Sequence, residues 1–91
     1  MQNEKRLAVQ IDYDVLRAVH LRRRAGKNPT SYEIERLTAV PHQRMRDRLG
    51  ELNDAGFMSL DLNLTERGYT FIQDIAKIVP VLKRYGYWRE D

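Results

Sequence analysis

The seven positions His42-Gln43-Arg44-Met45-Arg46-Asp47-Arg48 set six hydrogen-bonding side chains around a single apolar residue. Glutamine carries an amide donor and acceptor side by side, the pattern that pairs with an adenine edge. Arginine offers a planar fork that matches guanine or a phosphate. A second group, Arg22-Arg23-Arg24 with Lys27, supplies charge without an obvious reading pattern, as phosphate contact requires. Thr30 and Ser31 add hydroxyls next to the N–H groups of a predicted helix start. These residue types hold a polyanion; they do not break bonds.

Residues for other chemistry are missing. The chain has no cysteine, which removes thiolate metal sites and thiol nucleophiles together. His20 and His42 have no second histidine at ligand spacing, and Gly26, Gly50, Gly56, Gly68 and Gly86 form no phosphate loop. Asp12 and Asp14 read as helix caps rather than as a carboxylate pair. The sequence therefore predicts no catalysis, no metal and no cofactor.

With 91 residues and 10.8 kDa, the chain has room for one domain and one small core. No apolar run approaches the ~18 residues of a bilayer span, and the polar start Met1-Gln2-Asn3-Glu4-Lys5-Arg6 has no leader pattern. A cytoplasmic protein associated with the nucleoid is the expectation. The net charge of +3 is unevenly spread: from Arg17 to Arg48, nine basic residues face three acids, so the rest of the chain is net acidic. Such asymmetry favours a polyanionic partner.

The elements that must position these groups follow from periodicity. A first helix is expected from Asp12 or Asp14 to Arg24, burying Ile11, Val15, Leu16, Val19 and Leu21 and stopping at Gly26. Thr30 with Glu33 has capping-box spacing and opens a short second helix with Ile34 and Leu37 turned inward. After Thr38-Ala39-Val40 a third helix runs from Pro41 to Ala55, with Met45, Leu49 and Leu52 on its buried line. Phe57 to Leu64 alternates apolar and polar residues and reads as one strand or a tight two-stranded ribbon. Thr65 then caps a long last helix that reaches Gly86, with a kink expected at Pro80.

Helix, short helix, turn, helix, hairpin, helix is the order of a winged helix-turn-helix. Thr30-Ser31-Tyr32-Glu33-Ile34-Glu35-Arg36-Leu37 through Leu49-Gly50-Glu51-Leu52-Asn53-Asp54-Ala55-Gly56-Phe57 resembles the core of small prokaryotic, archaeal and viral regulators of the MarR-like and PadR-like kind. Leu64-Thr65-Glu66-Arg67-Gly68 is similar to the opening of their post-wing helix. The resemblance covers residues 11 to 79. It implies a mainly α fold with a small β-hairpin, core 11–68, and a C-terminal helix, 65–86, available for dimerisation. Three departures stand out: Glu35 occupies a position where these proteins usually have alanine, Thr38 and Ala39 occupy the tight turn where a glycine is common, and the segment before Leu64 is very short and has no Lys or Arg for a wing tip.

On this reading, the helix 41–55 enters the major groove of double-stranded DNA. His42, Gln43, Arg44, Arg46 and Asp47 face base edges, and Arg22, Arg23, Arg24, Lys27, Thr30, Ser31 and Arg48 hold phosphate. The wide apolar face of the last helix (Ile72, Ile75, Ile78, Val79, Leu82, Tyr85), with Trp88, is the expected homodimer interface. The expected function is transcriptional regulation, most simply repression by occupancy. Two alternatives stand beside it: a winged-helix protein-interaction module using the aromatic tail, and an architectural DNA binder without sequence preference.

Overall fold

The computed structural model describes residues 6–90. Four helices follow one another: α1 (Ala8–Arg24), α2 (Ser31–Thr38), α3 (His42–Asp54) and α4 (Glu66–Arg84). Helix α1 is the centre of the core. Its Ile11, Val15, Leu16 and Val19 are buried against Ile34 of α2, Met45 and Leu52 of α3, and Val40, Met58 and Leu62 from the connections. Phe71 and Ile72 of α4 pack on the edge of this cluster.

Helix α1 begins four residues ahead of Asp12, at a Leu7 N-cap that makes no side-chain cap bond. Asp12 and Asp14 are not caps. They lie inside the helix as ion-pair partners, Asp12 of Arg48 and Asp14 of Arg6. The other boundaries follow local chemistry. Thr30 accepts from Glu33 N–H, Thr65 accepts from Gly68 N–H, and α1 gives way to Gly26 in the left-handed region. Leu37, expected inside, is exposed; Thr38 takes the buried place and donates its hydroxyl to Ile34 O at 2.7 Å.

The expected β-hairpin does not form, and with it the winged-helix assignment falls. Among the described residues there is no strand, only an isolated bridge between Met58 and Leu64. Five residues lie inside that bridge, and they close on themselves rather than pair. Ser59 N–H donates to Asn63 O at 2.8 Å, and Leu62 N–H donates to Ser59 O. Leu62 sits at φ +62°, which turns its side chain away from the direction the alternation implied. As a result Leu62 is 7% exposed and Leu60 is 76% exposed, although both were expected on one strand face.

The C-terminal residues do not project. Trp88 is buried edge-on against Tyr13 of α1, with ring centroids 5.4 Å apart. Buried Gln10 grips the next residue at both backbone atoms, donating to Arg89 O (2.7 Å) and accepting from Arg89 N–H (2.9 Å). Trp88 thus secures its own domain rather than the expected interface between copies. Helix α4 itself runs through Pro80 to Arg84, and Gly68 is its one buried residue among those described.

Candidate nucleic-acid interface

Helices α2 and α3 are joined by a three-residue turn in which Ala39 adopts the left-handed conformation (φ 56°). That conformation costs a β-carbon-bearing residue about 1–2 kcal/mol. Arg6 helps to hold it, donating to Thr38 O at 2.9 Å and to Ala39 O at 3.3 Å while paired with Asp14. The turn fixes α3 with Met45 and Leu52 inward, so the opposite side faces solvent. His42, Gln43, Arg44, Arg46 and Asp47 are all exposed there.

Tertiary structure divides the basic residues into two groups. Arg48 is held by Asp12 through three hydrogen bonds of 2.5–2.9 Å and by Glu51 at 2.5 Å, which locks α3 to α1. Burial pushes the Asp12 carboxyl above its usual 3.8, against the pull of the Arg48 hydrogen bonds and charge. The folded state therefore binds this proton more tightly than the unfolded chain does. Asp12's contribution to stability is present below the usual carboxylate range and is lost as pH rises through the raised value.

Arg22 pairs with Glu33 of α2. Arg23 donates to Leu62 O (3.0 Å), Asp61 O (2.8 Å) and Asn28 Oδ1 (2.8 Å), so it ties the 57–64 loop to the end of α1. These three arginines, expected on phosphate, act inside the domain. Arg23→Ala is accordingly expected to cost about 1–2 kcal/mol, since it strips charge-assisted hydrogen bonds from two loop carbonyls. Urea denaturation with hydrogen exchange across the loop checks this, and an unchanged midpoint would remove Arg23 from the loop's support.

Arg17, Arg24, Lys27, Arg36, Arg44 and Arg46 form the second group. All are exposed, and none makes an ion pair or side-chain hydrogen bond with another described residue. Arg36 belongs to the basic excess of residues 17–48 and was not among the expected contacts; its position on α2 opposite buried Ile34 is the sequence signal for its exposure. Among the remaining expected contacts, Thr30's hydroxyl is engaged as the α2 cap and Ser31 is exposed. His42 Nδ1 lies 2.7 Å from Glu35 Oε2, which gives the unusual Glu35 a role in joining α2 to α3. Asp47 accepts from Gln43 at 3.4 Å, a bond that internal pairing and base contact would compete for.

Ser31, His42, Arg46 and Gly50 line a groove of about 480 Å³ closed on its far side by Ser59, Leu60 and Leu62. The groove brings the starts of α2 and α3 together with the loop. Lys27, Arg24 and Arg44 lie outside it. Among the described residues, no group of three acidic or histidine side chains is arranged to hold a metal ion, and no helix is long and apolar enough to cross a membrane. No protein-family model, curated protein or solved structure matches the chain.

Proposed function

We propose that the protein binds double-stranded DNA through α3 and regulates transcription, most simply by occupying its operator. The observation that carries this reading is the sorting of arginines. The pairs that the fold needs are satisfied internally, yet Arg44 and Arg46 remain exposed beside Gln43 on the solvent side of the first half of α3, whose Met45 and Leu52 face the core. Those three side chains carry the donor patterns that base edges accept. Arg24, Lys27 and Arg36 add charge for the phosphate backbone. A protein with this role works at the chromosome, in the cytoplasm.

The second element is a homodimer through α4. Ile78, Val81 and Tyr85 are exposed on one side of the helix, and Asp74 extends the same line. The spacing from 74 to 78 to 81 to 85 reads the same in both directions. An antiparallel pairing about a two-fold axis between residues 79 and 80 would set Ile78 against Val81 of the other copy and Asp74 against its Tyr85 hydroxyl. That arrangement is self-complementary in shape and in hydrogen bonding, as an isologous interface requires. Two copies would present two α3 helices to half-sites one helical turn apart.

Fluorescence anisotropy with mixed-sequence duplex across a salt series tests the DNA reading; absence of binding at low salt overturns it. Sedimentation equilibrium tests the dimer. The wild type is expected to be a dimer at micromolar concentration and Ile78→Asp a folded monomer. A monomeric wild type, or an Ile78→Asp dimer, overturns the α4 interface.

A further inference from the structure

A cleft of about 500 Å³ lies on the side of the domain where α1 and α2 meet the latched C-terminal residues Trp88 and Arg89. Its size falls within the range that holds small molecules, roughly 300–1,000 Å³. One wall is apolar. Leu21 of α1 and Leu37 of α2, 44% and 52% exposed, line it together with Trp88. Large aliphatic side chains exposed in a shared concavity are the expected lining of a ligand pocket, whereas scattered surface leucines carry no such meaning.

The other wall is cationic beyond what the fold uses. Arg6 and Arg22 line the cleft with their own carboxylate partners, Asp14 and Glu33. Arg17 and Arg89 line it with no ion pair or side-chain hydrogen bond among the described residues. Arg22 Nε, buried in the same wall, also meets no acceptor there. Two uncompensated guanidinium groups next to an apolar wall attract a negative charge attached to a hydrocarbon body, because neither half alone satisfies both walls.

We propose that this cleft is a binding site for a small organic anion, a carboxylate or phosphate ester on a compact apolar body, with Arg17 and Arg89 holding the charge and Leu21, Leu37 and Trp88 the body. The site is separate from the α3 surface, so it stands or falls independently of the DNA reading. Trp88 is the chain's single tryptophan, which gives the cleft one indole N–H signal.

The experiment is an NMR titration of the full chain, without DNA, using 1-naphthoate, the neutral 1-naphthamide and acetate as probes. A saturable shift of the Trp88 indole signal with 1-naphthoate is expected, at least tenfold weaker for 1-naphthamide and absent with acetate. Arg17→Gln/Arg89→Gln is expected to weaken naphthoate at least tenfold while leaving signals outside the cleft in place. Leu37→Asp, at an exposed position, is expected to abolish binding without unfolding the domain. No saturable shift in the wild type, equal binding of naphthamide, or unchanged affinity in either variant would overturn the proposal.

Discussion

Arg44→Ala/Arg46→Ala is expected to cost about thirtyfold or more in affinity for a selected operator and much less for random duplex. Each arginine that reads a guanine contributes about 1–3 kcal/mol of discrimination, roughly five- to 150-fold per contact. Both lie on the exposed first half of α3 without an internal partner to lose, so the substitutions leave the fold untouched. Arg24→Ala/Lys27→Ala makes the comparison decisive. It is expected to weaken all sequences alike and to flatten the salt slope by about one unit per phosphate contact. If the Arg44/Arg46 variant lost operator and random duplex equally, α3 would be a phosphate surface and the protein an architectural binder. If neither variant changed affinity, the exposed arginines would have no part in DNA contact.

The largest effect on stability is expected at Gly68. It lies in the first turn of α4, where Thr65 caps the helix and also donates its hydroxyl to Gly56 O at 2.6 Å, drawing the helix start onto the preceding turn. A β-carbon at residue 68 would overlap the Phe57 carbonyl oxygen and approach its carbon to 3.1 Å and Leu64 Cγ to 3.4 Å. Phe57 O is itself bonded by Thr65 N–H at 3.1 Å, so the backbone has no freedom to withdraw. Gly68→Ala is expected to destabilise by about 3 kcal/mol, at the upper end for overpacking. For a domain this size that lowers Tm by roughly 12–24 °C. The same substitution at Gly50, where nothing lies within 4 Å of the added carbon, is expected to stabilise by about 0.5–1 kcal/mol through backbone entropy. Thermal denaturation of the pair followed by circular dichroism decides the matter. A Gly68→Ala melt within a few degrees of wild type would show that α4 can shift away from Phe57.

Local signals made much of this fold legible. Thr30 and Thr65 cap the helices their spacing announced, Gly26 ends α1's turn, and Met45 and Leu52 face inward as the period of α3 requires. The Leu64-to-Gly68 motif also has a visible cause, since the threonine caps and the glycine admits the Phe57 carbonyl. The Phe57–Leu64 alternation misled, because two-residue periodicity specifies a strand only when a partner strand exists to pair with it. Here a left-handed Leu62 and two carbonyls taken by Arg23 consume the segment.

Charge was the least legible feature. Sequence alone determined that the segment from Arg17 to Arg48 is strongly basic, that no thiol chemistry is available, and that a polar helix follows a short capped one. Which of those charges are free was decided only by tertiary structure. Asp12, Glu33 and the loop carbonyls lie up to 39 positions away from the arginines they engage. An arginine's availability depends on which acceptors the folded chain brings to its guanidinium. Packing made the same decision for Trp88, which the fold brings onto Tyr13 from 75 positions away, and for Arg17 and Arg89, which share a cleft only because Gln10 holds the chain's far end against α1.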